Sequence, residues 1–102
     1  MPAYAIVCYR AIKDPAKMRE YGRLAFPTLK AANAIPRVAN VAGIAVEGPD
    51  APNVVVLEFK DMESAQAWYA SPEYQMAREV RLEAADVDFL LVDGVSMRDA
   101  GL

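Results

Sequence analysis

The sequence contains no histidine and a single cysteine, Cys8. Histidine is the side chain that most often moves protons near neutral pH and one of the commonest metal ligands, so its absence removes the usual proton shuttle and an axial ligand for haem. No His/Cys cluster exists, and the scattered carboxylates have no ligand spacing. We therefore expect neither a metal nor a cofactor. Cys8 cannot form an internal disulfide and is expected to be a buried, inert thiol.

Long apolar runs and excess positive charge are also missing. No segment reaches the roughly 18 apolar residues that cross a bilayer, and the start of the chain lacks a basic stretch followed by an apolar one. The net charge of −3 and the pI near 4.8 argue against nucleic acid as the main ligand, because phosphate binding needs a cationic face. We expect a cytoplasmic protein without a nucleic-acid or membrane partner.

The first half of the chain is predicted to form a strand, a helix and a second strand. The run from Ala3 to Tyr9 is apolar on both alternating faces, which is typical of a strand covered on both sides. Asp14 followed by proline is a strong helix start. Pro27 lies inside the helical pattern and predicts a kink or a break near Phe26. A looser strand is predicted from Arg37 to Glu47. The residues expected on one face of that strand are Val38, Asn40, Ala42, Ile44 and Val46.

The second half is predicted to form a strand, two short helices and a last strand. Residues 48–53 have turn chemistry and lead into the apolar strand from Val54 to Phe59. Asp61 can cap a short helix that runs to Tyr69, and Ser71 can cap the next helix, which runs to about Ala85. The last strand spans residues 87–92 and ends at Gly94. Residues 96–102 have no packing pattern and are expected to form a loose tail.

This order is β-α-β-β-α-β, which predicts an α+β domain with the ferredoxin-like fold over residues 1–95. Its four-stranded antiparallel sheet would carry helices on one face. The first and third strands are apolar on both faces, and the hydrophobic share of 55% is above the globular average. With no residues left to cover the second face, a homodimer that packs sheet on sheet is expected.

Several segments resemble domain-of-unknown-function family 1330, in the dimeric α+β-barrel superfamily. They are Met1 to Tyr4, Asp14-Pro15, Tyr21, Pro27 to Leu29, Val54 to Phe59, Trp68 to Gln75, Arg81, Ala84 to Asp86 and Leu91 to Gly94. The resemblance implies a ferredoxin-like fold and a dimer with a cleft between helices and sheet. It also implies either cofactor-independent chemistry of the superfamily's kind or non-catalytic ligand sensing. Family members usually carry a Gly-Gly-Arg-like turn after the first helix, and here Ala34-Ile35-Pro36-Arg37 predicts a loop of different shape.

The strongest candidates for ligand contact are Arg78 and Arg81, three positions apart with no acidic partner expected on their own helix. Tyr74 lies on the same stripe. Paired cations beside a phenol form a good receptor for a carboxylate or enolate. The alternative is that the arginines bridge to acidic residues elsewhere in the fold or reach water. Arg81 is the stronger candidate because it lies in the family-like motif.

Other candidates are a third cation, two aromatic rings and a carboxylate. Arg37 can add positive charge at the mouth of the second strand. Tyr21 and Tyr69 can stack on a flat ligand and donate hydrogen bonds, or serve as core aromatics. Glu58 interrupts an apolar strand and is a candidate general base or acid, unless it pairs with an arginine or faces water.

These observations predict a small-molecule enzyme that acts without a cofactor on an anionic, carbonyl-bearing or lactone-bearing metabolite. Isomerisation, cyclisation and decarboxylation are the expected reaction types. Arg81 would hold a developing oxyanion, and Glu58 or Tyr74 would move the proton. Two alternatives remain open, namely a non-catalytic metabolite-binding homodimer and a structural dimer whose cleft is filled by side chains.

Overall fold

A computed structural model describes residues 1–95 and residue 101. The predicted tail, residues 96–102, lies outside the described residues except for residue 101. The elements in chain order are β1 (Ala3–Ile12), α1 (Pro15–Ala31), β2 (Ile35–Gly43), β3 (Ala51–Phe59), α2 (Met62–Ala70), α3 (Pro72–Ala84) and β4 (Ala85–Asp93). The strands form one antiparallel sheet in the order β2-β3-β1-β4. This topology confirms the predicted ferredoxin-like α+β fold, with the second helical segment divided into α2 and α3.

Each helix begins at the polar residue that the sequence marks. The Asp14 carboxylate accepts a hydrogen bond from the Lys17 amide at 3.1 Å, and Asp61 accepts one from the Ser64 amide at 2.8 Å. The Ser71 hydroxyl accepts one from the Tyr74 amide at 3.3 Å. These side chains satisfy amides that have no partner inside the helix, which confirms the three predicted helix starts.

The predicted break in the first helix does not occur, because α1 runs unbroken through Pro27. Ala25 and Thr28, on either side of the proline, are both buried. The Thr28 hydroxyl donates to the Ala25 carbonyl at 2.6 Å and accepts from the Trp68 indole N–H at 3.0 Å. Tertiary contacts therefore hold the helix across a residue that would end an isolated one.

The sheet has one covered and one uncovered face within the described chain. Every second residue of β1 from Ala3 to Tyr9 is buried beneath the helices. Strand registers place Leu57 and Phe59 on the same face. The residues between them point away from the helices. This second surface, called the open face below, carries Tyr4, Ile6, Val54, Val56, Leu90 and Val92 together with Ile35, Val38 and Val41 of β2. Cys8 also lies there and is exposed, so the expectation of a buried thiol is wrong for the single chain.

The core beneath the helices is aromatic and centres on Trp68. Its ring lies 4.2 Å from that of Tyr74, 5.2 Å from that of Phe59 and 6.1 Å from that of Phe89, measured between centroids. Tyr74 and Phe59 are fully buried. Large rings from α2, α3, β3 and β4 thus fill the space that the small residues of β1 leave open.

The boundaries of the two middle strands differ from the prediction. β3 begins at Ala51, inside the segment that was predicted to be a turn. β2 ends at Gly43, and its register shifts repeatedly around Asn40, which has a φ of 57°. Val38 and Val41 consequently face the same side, opposite Val56 and Val54, although strict alternation predicts opposite sides. Within the described ranges, no helix has both the length and the apolar character needed to cross a membrane.

Replacing Gly94 with alanine is expected to destabilise the fold by about 1–3 kcal/mol, because the site has no room for a methyl group. The Gly94 amide donates to the Pro2 carbonyl at 2.7 Å. An added Cβ would lie 2.9 Å from that oxygen and 2.8 Å from Cε2 of Tyr4. Gly22→Ala is the control, since its Cβ would meet nothing within 4 Å and alanine favours a helix. Urea denaturation measures the free energy of unfolding of each variant. A value for Gly94→Ala equal to that of the wild type would contradict the prediction.

Candidate functional site

A cavity of about 270 Å³ lies between α1 and the helix-facing side of the sheet. The α1 residues that line it include the small Gly22 and Ala25 and the larger Met18 and Leu29. Its walls are mainly apolar and include Phe26, Trp68 and Phe89. The hydroxyl-bearing side chains in this lining are those of Tyr9 and Tyr21, with Asn40 as a further polar residue.

Behind the cavity, α1 and α3 bring two phenols and a guanidinium together. The hydroxyl oxygens of Tyr21 and Tyr74 lie 2.9 Å apart, within hydrogen-bond distance. The Arg81 guanidinium carbon lies 5.8 Å from the centre of the Tyr21 ring and 5.5 Å from that of Phe89. Burial raises the pKa of Tyr74, whereas the positive charge of the guanidinium acts to lower it. Arg81, Tyr74 and Tyr21 therefore form a polar cluster, of which Tyr21 lines the cavity.

Arg81 is 3% exposed, and no carboxylate of the residues that the structure describes lies within ion-pair distance of it. Its Nε–H is buried and has no hydrogen-bond partner. A guanidinium keeps its proton in proteins. Because a buried charge is costly unless a counter-charge compensates it, such an arginine is a candidate for binding an anion.

The tyrosines around Arg81 stay neutral at physiological pH. Burial raises the pKa of Tyr9 to about 12, although the nearby Arg81 charge acts in the opposite direction. Burial also raises the pKa of Tyr21, and the neighbouring Tyr74 raises it further. For Tyr74 itself, burial raises the pKa more than the contacts with Tyr21 and Arg81 lower it. The cluster therefore offers O–H donors rather than phenolates, and its only full charge is that of Arg81.

The two arginines predicted to act together have different surroundings. Arg78 lies near the surface, where its Nε donates to the Tyr69 hydroxyl at 2.9 Å. It also reaches Glu79 of its own helix at 3.9 Å, so the expectation that neither arginine has an acidic neighbour on α3 is wrong for Arg78. Arg78 and Tyr69 pair with each other, and neither lines the cavity.

Glu58 and Arg37 form an ion pair on the open face. The Arg37 Nε lies 3.3 Å from Oε1 of Glu58, and Glu58 is opposite Tyr4 in the sheet register. The sheet therefore separates this pair from Arg81 and Tyr74. The structure therefore does not bring Glu58 together with Arg81, although both were predicted to belong to one site.

Tyr9 and Asn53 belong to the neighbourhood of the cavity but were not predicted as site residues. Tyr9 is 3% exposed, lines the cavity and lies opposite Asn53 in the strand register. The Asn53 Oδ1 is buried without a hydrogen-bond partner. The sequence signal for Tyr9 is limited to the alternation of β1, which groups it with Ala3, Ala5 and Val7 but does not tell which face meets the helices. Asn53 has no such signal, because its proline-rich surroundings are typical of a turn.

A second hollow, an open groove of about 720 Å³, lies between α1 and the two following helices. Its polar groups at Trp68 and Thr28 are hydrogen-bonded to each other. Among the described residues, none that lines this groove has a buried side-chain polar atom without a hydrogen-bond partner, in contrast to Arg81. Across the described residues, no group of three acidic, histidine or cysteine side chains is arranged to hold a metal ion.

Comparison with protein families matches residues 2–95 to a domain of unknown function, DUF1330. No curated protein matches the chain. Among solved structures, the chain is similar to a protein of unknown function from Rhodopseudomonas palustris, with 16% identity, 93% of this chain and 83% of that chain covered, and a TM-score of 0.72.

Two other structures have the same fold. One is a dimeric protein of unknown function with a ferredoxin-like fold from Bacteroides fragilis, with 16% identity, coverage of 91% of this chain and 96% of that chain, and a TM-score of 0.59. The other is SnoaB, a cofactor-independent oxygenase from Streptomyces nogalater, with 8% identity, coverage of 93% and 94%, and a TM-score of 0.64. At these identities the similarity establishes the shared fold.

Proposed function

This chain belongs to the DUF1330 family, and we propose that it binds a small anionic or carbonyl-bearing organic molecule in the cavity between α1 and the sheet. The observation that carries the proposal is Arg81, a buried guanidinium without a carboxylate partner in the described residues. A ligand with negative charge, or with charge that develops during a reaction, would supply the missing counter-charge.

The geometry of the polar cluster supports contact between the ligand and Tyr21. The hydroxyl oxygens of Tyr21 and Tyr74 lie 2.9 Å apart, and either hydroxyl can donate to the other. Tyr21 lines the cavity, and the Arg81 guanidinium carbon lies 5.8 Å from the centre of its ring. A hydroxyl at this wall, close to a buried cation and away from water, can stabilise negative charge on a ligand.

We propose catalysis without a cofactor as the primary activity. Isomerisation, cyclisation and decarboxylation of a carbonyl compound or lactone all build negative charge on an oxygen, and a preorganised donor backed by a buried cation stabilises that charge. Tyr21, Tyr74 and Arg81 are the residues assigned to this role, and Tyr9 is a second donor at the wall. The similarity to SnoaB, a cofactor-independent oxygenase, supports chemistry without a cofactor in this fold.

Non-catalytic binding is the alternative, and one feature of the cavity lining supports it. No carboxylate is present among the described side chains that line the cavity, and Glu58 lies on the opposite face of the sheet. A proton taken from carbon would therefore have to pass to a neutral phenol, which is a weak base. Saturable binding without any product would support the binding role, whereas a product detected by mass spectrometry would support the enzyme.

We also propose that the protein is a homodimer joined through the open face. Leu90 is 58% exposed and Val41 is 52% exposed in the single chain, and they belong to an apolar surface that spans all four strands. Such a surface is typical of a subunit interface. The similar protein from Bacteroides fragilis is dimeric. The only cysteine of the sequence, Cys8, fits the cytoplasmic location that we propose for this dimer.

Tyr21→Phe is expected to weaken ligand binding by about tenfold, because it removes one hydrogen bond and leaves the ring in place. The measurement is the thermal shift caused by small carboxylates, lactones and phenolic acids, since a ligand that binds the folded state raises the melting temperature. Tyr69→Phe is the matched control. It removes the same atom from a tyrosine that accepts from Arg78 outside the cavity. Equal effects of the two variants on binding would contradict the assignment of Tyr21.

A further inference from the structure

We infer that the cavity takes its ligand as a single delocalised oxyanion, the ionised form of a phenol or an enol, in preference to a carboxylate. The inference rests on the proposed function, because it assigns a chemical class to the ligand of the same cavity. Three features of the site lead to it: the number of donors offered, the charge available and the nature of the walls.

The cavity wall offers the separate hydroxyl groups of Tyr9 and Tyr21, whereas the guanidinium of Arg81 does not reach the wall. Arg81 is not part of the cavity lining. The rings of Tyr21 and Phe89 lie beside it, 5.8 Å and 5.5 Å from its guanidinium carbon. A carboxylate is best bound by two parallel donors from one guanidinium. A phenolate or enolate has one strongly accepting oxygen, which separate hydroxyl groups such as those of Tyr21 and Tyr9 can bind without a guanidinium fork.

The charge balance calls for one negative charge on the ligand. Tyr9, Tyr21 and Tyr74 are neutral because burial raises the pKa of each. Arg81 therefore contributes one uncompensated positive charge. An opposite charge nearby favours the ionised form of an acid, so the site lowers the pKa of a phenol or enol that binds against Tyr21.

The walls favour a flat ligand that spreads its charge over a conjugated system. Phe26, Trp68 and Phe89 present aromatic surface, and offset stacking on such rings favours planar partners. Charge confined to a carboxylate loses more hydration on entering an apolar cavity than charge delocalised over a ring. Binding breaks only the O–H bond of the ligand. The proton leaves to solvent, and no electron is transferred.

The test compares 4-nitrophenol with 4-nitrobenzoate, which share a ring and differ in the acidic group. Absorbance titration over pH measures the ionisation of bound 4-nitrophenol, and calorimetry measures both affinities. The pKa of 4-nitrophenol is expected to fall by about one unit or more on binding, and 4-nitrobenzoate is expected to bind about tenfold more weakly or worse. 4-Nitroanisole, which has no acidic proton, measures the contribution of the ring alone.

Three other results would contradict the inference, and they differ in what they imply for the proposed function. Equal or tighter binding of 4-nitrobenzoate would contradict the oxyanion class and leave the anion-binding function intact. Binding of 4-nitrophenol with an unchanged pKa would also refute the oxyanion class. Binding of neither compound would overturn the inference and count against the proposed function itself. In Arg81→Lys, which keeps the charge but loses the fork, the lowered pKa of bound 4-nitrophenol is expected to persist. In Tyr21→Phe it is expected to return towards the free value.

Discussion

Arg81→Met is expected to reduce the affinity for an anionic ligand by about 100-fold or more, while the free energy of unfolding of the ligand-free protein rises by about 1 kcal/mol or more. Burial of a guanidinium without a carboxylate partner costs several kcal/mol. Contacts with the rings of Tyr21 and Phe89 return about 0.5–2 kcal/mol each. Methionine has a similar length and no charge to desolvate, so the substitution is expected to stabilise the fold and to remove the positive charge that attracts the ligand.

The control for this experiment is Arg78→Met on the same helix. The Arg78 side chain is 31% exposed and donates to Tyr69, so its loss is expected to cost about 1 kcal/mol and to leave ligand affinity unchanged. Urea denaturation at a fixed protein concentration measures the stability of both variants. If Arg81→Met were destabilised by about 2 kcal/mol or more and still bound ligand, Arg81 would be a structural residue, satisfied by the rings around it.

Local chemistry made much of the fold predictable from the sequence. The helix starts at Asp14, Asp61 and Ser71 depend on a side chain that bonds an amide two or three residues later, and neighbouring elements cannot easily override that bond. The course of α1 depends on tertiary contacts instead. Pro27 predicts a break when the helix is considered alone. The buried contact of Thr28 with Trp68, which joins residues 40 positions apart in the sequence, holds the helix together and has no local signature.

In the candidate site, too, the sequence predicted what depends on local patterns and not what depends on tertiary packing. Helical spacing placed Arg78, Arg81 and Tyr74 on one stripe, but a rotation of the helix by a fraction of a turn separates a buried arginine from an exposed one. For Glu58, alternation correctly grouped it with Val54 and Val56. Because both faces of β3 are apolar, the pattern does not tell which face meets the helices. Only the three-dimensional packing assigns Glu58 to the open face and Tyr9 to the cavity.

The proposed dimer explains why both faces of the sheet are apolar. The helix-facing side needs apolar residues for the core and the cavity walls. The open face carries a comparable surface that no element of the described chain covers. A second subunit on that surface would remove it from water and would also enclose the ion pair between Arg37 and Glu58, which is half-exposed in the single chain.

Leu90→Asp is expected to weaken the proposed dimer by about 100-fold or more, because it would place an unpaired carboxylate in an apolar interface. Leu90 lies opposite Ile6 on the open face and follows Asp88, which is ion-paired with Arg10. Light scattering over a range of protein concentrations measures the shift from dimer to monomer, and circular dichroism reports whether the fold persists.

Leu82→Asp tests whether the effect belongs to the open face or to any exposed leucine. Leu82 lies on α3 and is 44% exposed, compared with 58% for Leu90. If exposure in the single chain decided the outcome, both substitutions would be tolerated equally, since a change at an exposed position usually alters the free energy of unfolding by no more than about 0.5 kcal/mol. If both variants stay dimeric, the subunits meet elsewhere and the apolar character of the open face needs another explanation. If Leu90→Asp alone becomes monomeric, the second apolar face of β1 and β3 is accounted for by the subunit interface.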